Sequence, residues 1–286
     1  PDIVGFTVYY INAEPTKWLA KRLKELNTKI KIVIGGSNVH NSWQEQNEYY
    51  DYIVQGEGEK AIIEILDEIE LGTDTNSSTF KKQPLDQRIN LNNLPLPDYE
   101  SLDFSQYRIP NGVNTEISRG CTAKCTFCDE THFWKYRQRR AVDLIAEIEW
   151  LYYNKGVNVI WFIDSLVNGN LKELRAFAKG IIAKGLKINW TGYARCNGNM
   201  DFEYLKDLKD SGCIMLNYGI ESGSQKVLDA MDKNVTVQEM EDNFKHGTQL
   251  GIYNATNWII GFPNEKFEDF ADSMSFLWRN RNMNIN

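Results

Sequence analysis

Short apolar runs alternate along the chain with longer stretches whose apolar positions recur at helical spacing. Ile3 to Tyr10 is β-branched and aromatic and predicts a buried strand. Pro15 opens a helix with Trp18, Leu19, Leu23 and Leu26 at helical spacing. Ile30 to Ile34 and Tyr52 to Val54 predict further strands, and Glu59 to Ile69 a helix with Ile62, Ile63, Leu66 and Ile69 inward. From Gly72 to Gly112 the periodicity stops, and polar, Ser/Thr-rich and Pro-containing segments predict a linker. A second alternation follows. Strands are expected at 114–118, 159–163, 188–193, 214–220 and 254–260, and helices at 142–153, 171–184, 202–211, 224–231 with 237–250, and 267–280. Gly156, Gly185, Gly212 and Gly251 each precede a strand, where a left-handed helix stop belongs. Strands alternating with helices predict an α/β fold with parallel sheets. Five such units in a row suggest a partial barrel, which carries its chemistry on loops after the strand C-termini.

The length of 286 residues agrees with about two domains at ~150 residues each. The boundaries are 1–71, a linker at 72–112, and 113–286. With 32 basic against 39 acidic side chains the net charge is −7. This disfavours a dominant nucleic-acid groove. No apolar run reaches the ~18 residues of a membrane span, and no signal peptide is legible, so a cytoplasmic protein is expected. Pro1 stands immediately before a core strand, which suggests a fragment.

The cysteines sharpen this picture. Cys121, Cys125 and Cys128 crowd into a C-x3-C-x2-C loop after the first strand of the second alternation, a poor disulfide framework in what reads as a reducing compartment. Three thiolates on one short loop can cap three corners of a 4Fe–4S cube and leave one iron open. The rival metal is a single zinc with His132 as fourth ligand, in a non-catalytic binding module. Three merely buried cysteines are the bland alternative. Cys213 reads as a small buried hydrophobe, whereas Cys196 follows Arg195 toward the strand tips and could face a substrate.

With Phe127 in the aromatic place of C-x3-C-x-aromatic-C, the loop resembles the hallmark of the radical S-adenosylmethionine superfamily. The resemblance implies a partial (β/α)6 TIM-type barrel, here with five units. It also implies a 4Fe–4S cluster on Cys121, Cys125 and Cys128. The open iron of that cluster would chelate S-adenosylmethionine, and reductive cleavage would give a 5′-deoxyadenosyl radical. Other strand ends then become candidate cofactor contacts. Asp164 suits the ammonium of S-adenosylmethionine, and Arg195 its carboxylate or Glu221. Glu221-Ser222-Gly223 resembles the family's fourth-strand motif, and the segment around Gly261 resembles the one that packs on adenine. Ordinary capping or ion pairing is the alternative at each position.

The first domain resembles the C-terminal part of the Rossmann-like cobalamin-binding domain that often precedes such a barrel. Thr7 stands in place of the serine of its S-x-L element, Gly35-Gly36 match its Gly-Gly element, and Gly56-Glu-Gly-Glu59 looks like its last loop. The D-x-H-x-x-G element is absent. Gly56-x-Gly58-x-x-Ala61 also fits a dinucleotide fingerprint formally, but Glu57 and Glu59 would repel a pyrophosphate. The expectation is a cobalamin-dependent enzyme that transfers a methyl group to an unactivated centre of a small-molecule or peptide substrate. Radical rearrangement without methylation is its alternative. A flavodoxin or ferredoxin-type electron donor is implied as partner, with no nucleic acid and no membrane. The resemblance also suggests that both ends of the family architecture are missing, including the sixth barrel unit.

Overall fold

A computed structural model of the chain describes residues 1–36, 39, 49–73, 79–82 and 88–283, with the backbone only at 79–82, 131 and 132. It divides into two compact units, Pro1–Ile89 and Asn90–Asn286.

The first unit is a parallel sheet. Strand β1 (Ile3–Thr7) is followed by helix α1 (Ala13–Leu26), β2 (Lys31–Gly35), β3 (Tyr52–Gln55), α2 (Glu59–Glu70) and β4 (Thr79–Lys82). The strands lie in the order β1-β2-β3-β4. Alternate side chains point to opposite faces. Ile32, Ile34 and Ile53 pack with Ala20 of α1, while Val33, Tyr52 and Val54 pack with Ala61 and Ile65 of α2. Of the α2 positions expected inward, Ile69 packs against the core, and the helix is rotated so that the other three are exposed; Leu23 of α1 packs inward as well. Trp18, Leu19 and Leu26 of α1 and Ile62, Ile63 and Leu66 of α2 are exposed. Each helix instead turns an alanine to the sheet. A small side chain lets the helix lie close, and α2 is apolar round most of its circumference, so periodicity alone could not select the face. β4 falls within the stretch read as a linker and pairs in parallel with β3; residues 74–78 and 83–87 of that stretch lie outside the described residues.

The second unit holds β5 (Gly112–Thr115), β6 (Ser118–Arg119), α3 (Glu130–Phe133), β7 (Arg137–Gln138), α4 (Ala141–Lys155), β8 (Val159–Phe162), α5 (Leu171–Ala183), β9 (Asn189–Ala194), α6 (Phe202–Asp210), β10 (Cys213–Glu221), α7 (Gln225–Ala230), α8 (Val237–Gln249), β11 (Tyr253–Trp258) and α9 (Phe267–Asn280). Five parallel strands lie in the order β11-β10-β9-β8-β5, which is the expected five-unit arrangement. All four glycines read as helix stops have positive φ. The helix-facing core is dense and aromatic. Phe162, Phe177 and Trp190 meet edge-to-face with ring centroids 5.6 to 6.1 Å apart. Truncating any of them to alanine costs about 3–5 kcal/mol. That rigidity holds the C-terminal ends of β5, β8, β9 and β10 along one edge. Two-residue strands β6 and β7 pair antiparallel there and close the base of the cysteine loop, a pairing too short for periodicity to reveal.

Candidate active site at the strand tips

The cysteine loop leaves β6 through Gly120, whose φ is +81°. A Cβ there would lie 3.0 Å from the Trp134 carbonyl oxygen and the Tyr136 nitrogen, so only glycine lets the two arms of the loop pass this closely. The loop is tied internally by Cys128 N–H donating to the Cys125 carbonyl (3.1 Å) and by Ala123 N–H donating to Cys121 Sγ (3.4 Å). It is tied externally by Thr126 N–H donating to the Met231 carbonyl (3.0 Å). Its three thiols are half-buried, whereas Cys196 and Cys213 are buried. Burial drives the thiols of Cys196 and Cys213 well above the usual cysteine range, which suits packing rather than nucleophilic chemistry.

Burial also pushes the Cys125 thiol up, against the pull of the Lys233 and Arg195 cations, while Cys121 and Cys128 add to the rise. The three sulfurs and two cations therefore share one field. Cationic neighbours offset the negative charge that three thiolates bring to a site. Among the described residues no three His, Cys, Asp or Glu side chains converge closely enough to share one metal ion. Cys121, Cys125 and Cys128 are three half-buried thiols on one short loop, a donor set whose chemistry fits three corners of a four-iron cube. The His132 side chain, required by the zinc alternative, lies outside the described residues.

The other expected contacts divide into two groups. Glu221 ends β10 at a register shift and takes a left-handed φ of 68°. Its Oε1 accepts from Lys233 Nζ at 3.0 Å, and the same ammonium sits 5.7 Å from the ring centroid of Phe127. In place of the expected pairing with Glu221, the Arg195 guanidinium donates to the Lys233 carbonyl. Lys233 thus links Glu221, Phe127 and the Cys125 field, and the sequence reading missed it. The available signal was a lone lysine between Asp232 and Asn234, two turn formers that here adopt left-handed φ. Gly261, also left-handed and exposed, donates its N–H to Glu265.

Asp164 and Ser222 point elsewhere. Asp164 is buried, and both its oxygens accept from the backbone at the entry to the cysteine loop. Burial raises its carboxyl to about 6, against hydrogen bonds from Ser118 and Ile117 that lower it. Ser222 is fully buried, with its hydroxyl 3.1 Å from that of Ser273 on α9.

In the first unit a groove of about 410 Å³ opens at the sheet, lined among others by Thr7, Gly35, Gly36, Gly56 and Gly58. It collects all three elements singled out in the sequence. Gly36 has a φ of +112°, and a Cβ there would stand 2.6 Å from the Val8 carbonyl oxygen. A Cβ on Gly5 or Gly58 would meet nothing within 4 Å, so these glycines leave open floor. The size is that of a small-molecule cleft. Its backbone floor suits a flat group such as the nucleotide tail of cobalamin.

Among the described residues no helix is long and apolar enough to cross a membrane. Residues 1–66 match the B12 binding domain, and residues 115–277 match the Radical SAM superfamily. A protein of Pyrococcus horikoshii named as an uncharacterized methyltransferase is 29% identical over 96% of this chain and 64% of its own length. An anaerobic magnesium-protoporphyrin IX monomethyl ester cyclase from Cereibacter sphaeroides is 26% identical over 97% of this chain and 49% of its own. The chain thus spans about half to two thirds of these relatives. A solved structure of the radical S-adenosylmethionine methyltransferase TsrM from Kitasatospora setae, with cobalamin and a 4Fe–4S cluster bound, shares the fold at a TM-score of 0.79. It is 18% identical, covering 98% of this chain and 62% of that one. The match over 115–277 sets aside the zinc-module alternative, and the chain belongs to the radical S-adenosylmethionine superfamily.

Proposed function

We propose that this chain carries the cofactor-binding part of a cobalamin-dependent methyltransferase acting on an unactivated carbon or phosphorus centre of a small-molecule or peptide substrate. The observation that carries the reading is the presence on one chain of a thiol loop in a cationic field and a glycine-floored groove. When bound, the 4Fe–4S cluster supplies the electron that cleaves S-adenosylmethionine, and cobalamin carries the methyl group. Cys121, Cys125 and Cys128 would hold the cluster. Arg195 is the cation placed for a carboxylate, while the buried Lys233–Glu221 pair, with the Lys233 ammonium over the Phe127 ring, sets the charge beside the loop. Gly261 offers an open backbone surface for adenine. Thr7, Gly35 and Gly36 line the corrin groove. In this reading the first unit, Pro1–Ile89, serves cobalamin and the second, Asn90–Asn286, serves S-adenosylmethionine. A flavodoxin or ferredoxin-type donor would supply the electron in the cytoplasm.

The cyclase among the relatives makes the fate of the methyl group the deciding measurement. The full-length protein, reconstituted anaerobically and given trideuteromethyl S-adenosylmethionine, should yield 5′-deoxyadenosine together with a product heavier by one labelled methyl group. Deoxyadenosine without label transfer would assign the chain to rearrangement or cyclisation chemistry instead.

A further inference from the structure

The tip of β8 holds the cysteine loop on both of its arms. On the entry arm, Asp164 Oδ1 accepts from Ile117 N–H (3.0 Å), from Ser118 N–H and from the Ser118 hydroxyl (2.7 Å). Asp164 Oδ2 lies 3.1 Å from the same Ile117 nitrogen. The Ser118 hydroxyl is also 2.9 Å from the Leu166 carbonyl, so its single proton is shared between two acceptors on the β8 tip. On the exit arm, the Ser165 hydroxyl donates to Glu130 Oε1 at 2.6 Å, at the start of α3 and two positions beyond Cys128. Asp164 and Ser165 lie just past Phe162, the last residue of β8, with a bend at Ser165, and their side chains reach separate arms. β8 is an inner strand of the sheet, hydrogen-bonded to β5 and β9 and backed by the Phe162 packing, so its tip is a fixed reference point.

We propose that Asp164 and Ser165 form a two-pronged clasp that sets the separation of the loop's arms and so the placement of the three cluster ligands. They are positioning residues, acting through Ser118 and Glu130. The inference rests on the reading of Cys121, Cys125 and Cys128 as cluster ligands, and it gives Asp164 a task other than binding an ammonium. A carboxylate 3% exposed, with both oxygens already engaged by loop donors, has little capacity left for a further cation.

The test uses full-length protein reconstituted with iron and sulfide. Ser165 is exposed, so Ser165→Ala removes one prong without disturbing the core. Asp164→Asn removes the other, because an amide can match only part of the acceptor set. A hydrogen bond to a charged group is worth about 1.5–3 kcal/mol, which converts to at least about tenfold. Both variants should therefore take up wild-type iron but release it to a chelator about tenfold faster or more, with altered g values for the reduced cluster. Ser165→Thr should restore both readouts. Ser165→Ala combined with Glu130→Ala should be no worse than either alone. Release rates and g values identical to wild type in Ser165→Ala would overturn the clasp. So would Asp164→Asn raising only the KM for S-adenosylmethionine, with the cluster unaltered. A wild-type chain that takes up no cluster would sink the underlying reading and the clasp with it, whereas a normal wild-type cluster with unaltered variants sinks the clasp alone.

Discussion

Lys233 Nζ lies 3.0 Å from Glu221 Oε1, and both side chains are almost entirely removed from solvent, at 6% and 10% exposure. Breaking a buried ion pair by removing one partner leaves an uncompensated charge and costs about 3–5 kcal/mol. Lys233→Met should therefore lower unfolding stability by that amount and weaken binding of S-adenosylmethionine. Adding Glu221→Gln should recover most of the stability without recovering the binding. Urea unfolding followed by circular dichroism reads the first effect, and equilibrium dialysis with labelled S-adenosylmethionine the second.

Cys125→Ala should abolish cluster assembly and deoxyadenosine formation, since three thiolates are the least that can hold the cube with one iron open. Iron and sulfide analysis after anaerobic reconstitution checks it. Wild-type iron content in that variant would remove the cysteine loop from the site.

Burial raises the Asp164 carboxyl from 3.8 to about 6. In the folded chain it therefore keeps its proton at pH values where the unfolded chain has lost it. Stability falls as pH rises wherever the native state binds more protons. The penalty is absent below pH ~4, grows between ~4 and ~6, and is complete above, where two units amount to about 3 kcal/mol. Asp164→Asn escapes this penalty. Its stability relative to wild type should rise across pH 4 to 6.5, as measured by parallel urea titrations of the cluster-free proteins. A flat difference would mean that the carboxyl titrates normally.

Two glycines of the groove should separate folding from binding. Gly36→Ala forces a methyl group to within 2.6 Å of the Val8 carbonyl oxygen at a φ of +112°, and should destabilise the first unit by more than 1 kcal/mol. Gly5→Val meets open space and favours a strand, so the fold should persist. The added side chain would then occupy the groove, and cobalamin binding followed by visible absorption should weaken. Equal cobalamin affinity in Gly5→Val and wild type would place the corrin elsewhere.

The strands and helices of the second unit were legible because their apolar periods are strong and glycine punctuates each return. The helices of the first unit were legible as helices, and the inward face of α2 only in part, at Ile69. Ala61, Ile62, Ile63, Ile65 and Leu66 offer two overlapping apolar stripes, and the choice was made by how closely Ala61 lets the helix approach Val33 and Val54. At the site, the cysteines could be found from spacing, and Glu221 from its place at a strand end and the resemblance of Glu221-Ser222-Gly223 to the family's fourth-strand motif. Lys233 carried only a turn signal, since its partners, Glu221 twelve positions back and Phe127 in the cysteine loop, stand at no helix or strand period from it. The engagement of Asp164 was hidden for a related reason. Periodicity puts a carboxylate at a strand tip, but it does not reveal that the amides of Ile117 and Ser118 emerge beside it needing acceptors.

The antiparallel pairing of Ser118 with Gln138 and of Arg119 with Arg137 closes the base of the cysteine loop. The entropy cost of closing a loop grows only with the logarithm of its length, so the segment between these two pairs can change in size at little cost while its base stays fixed.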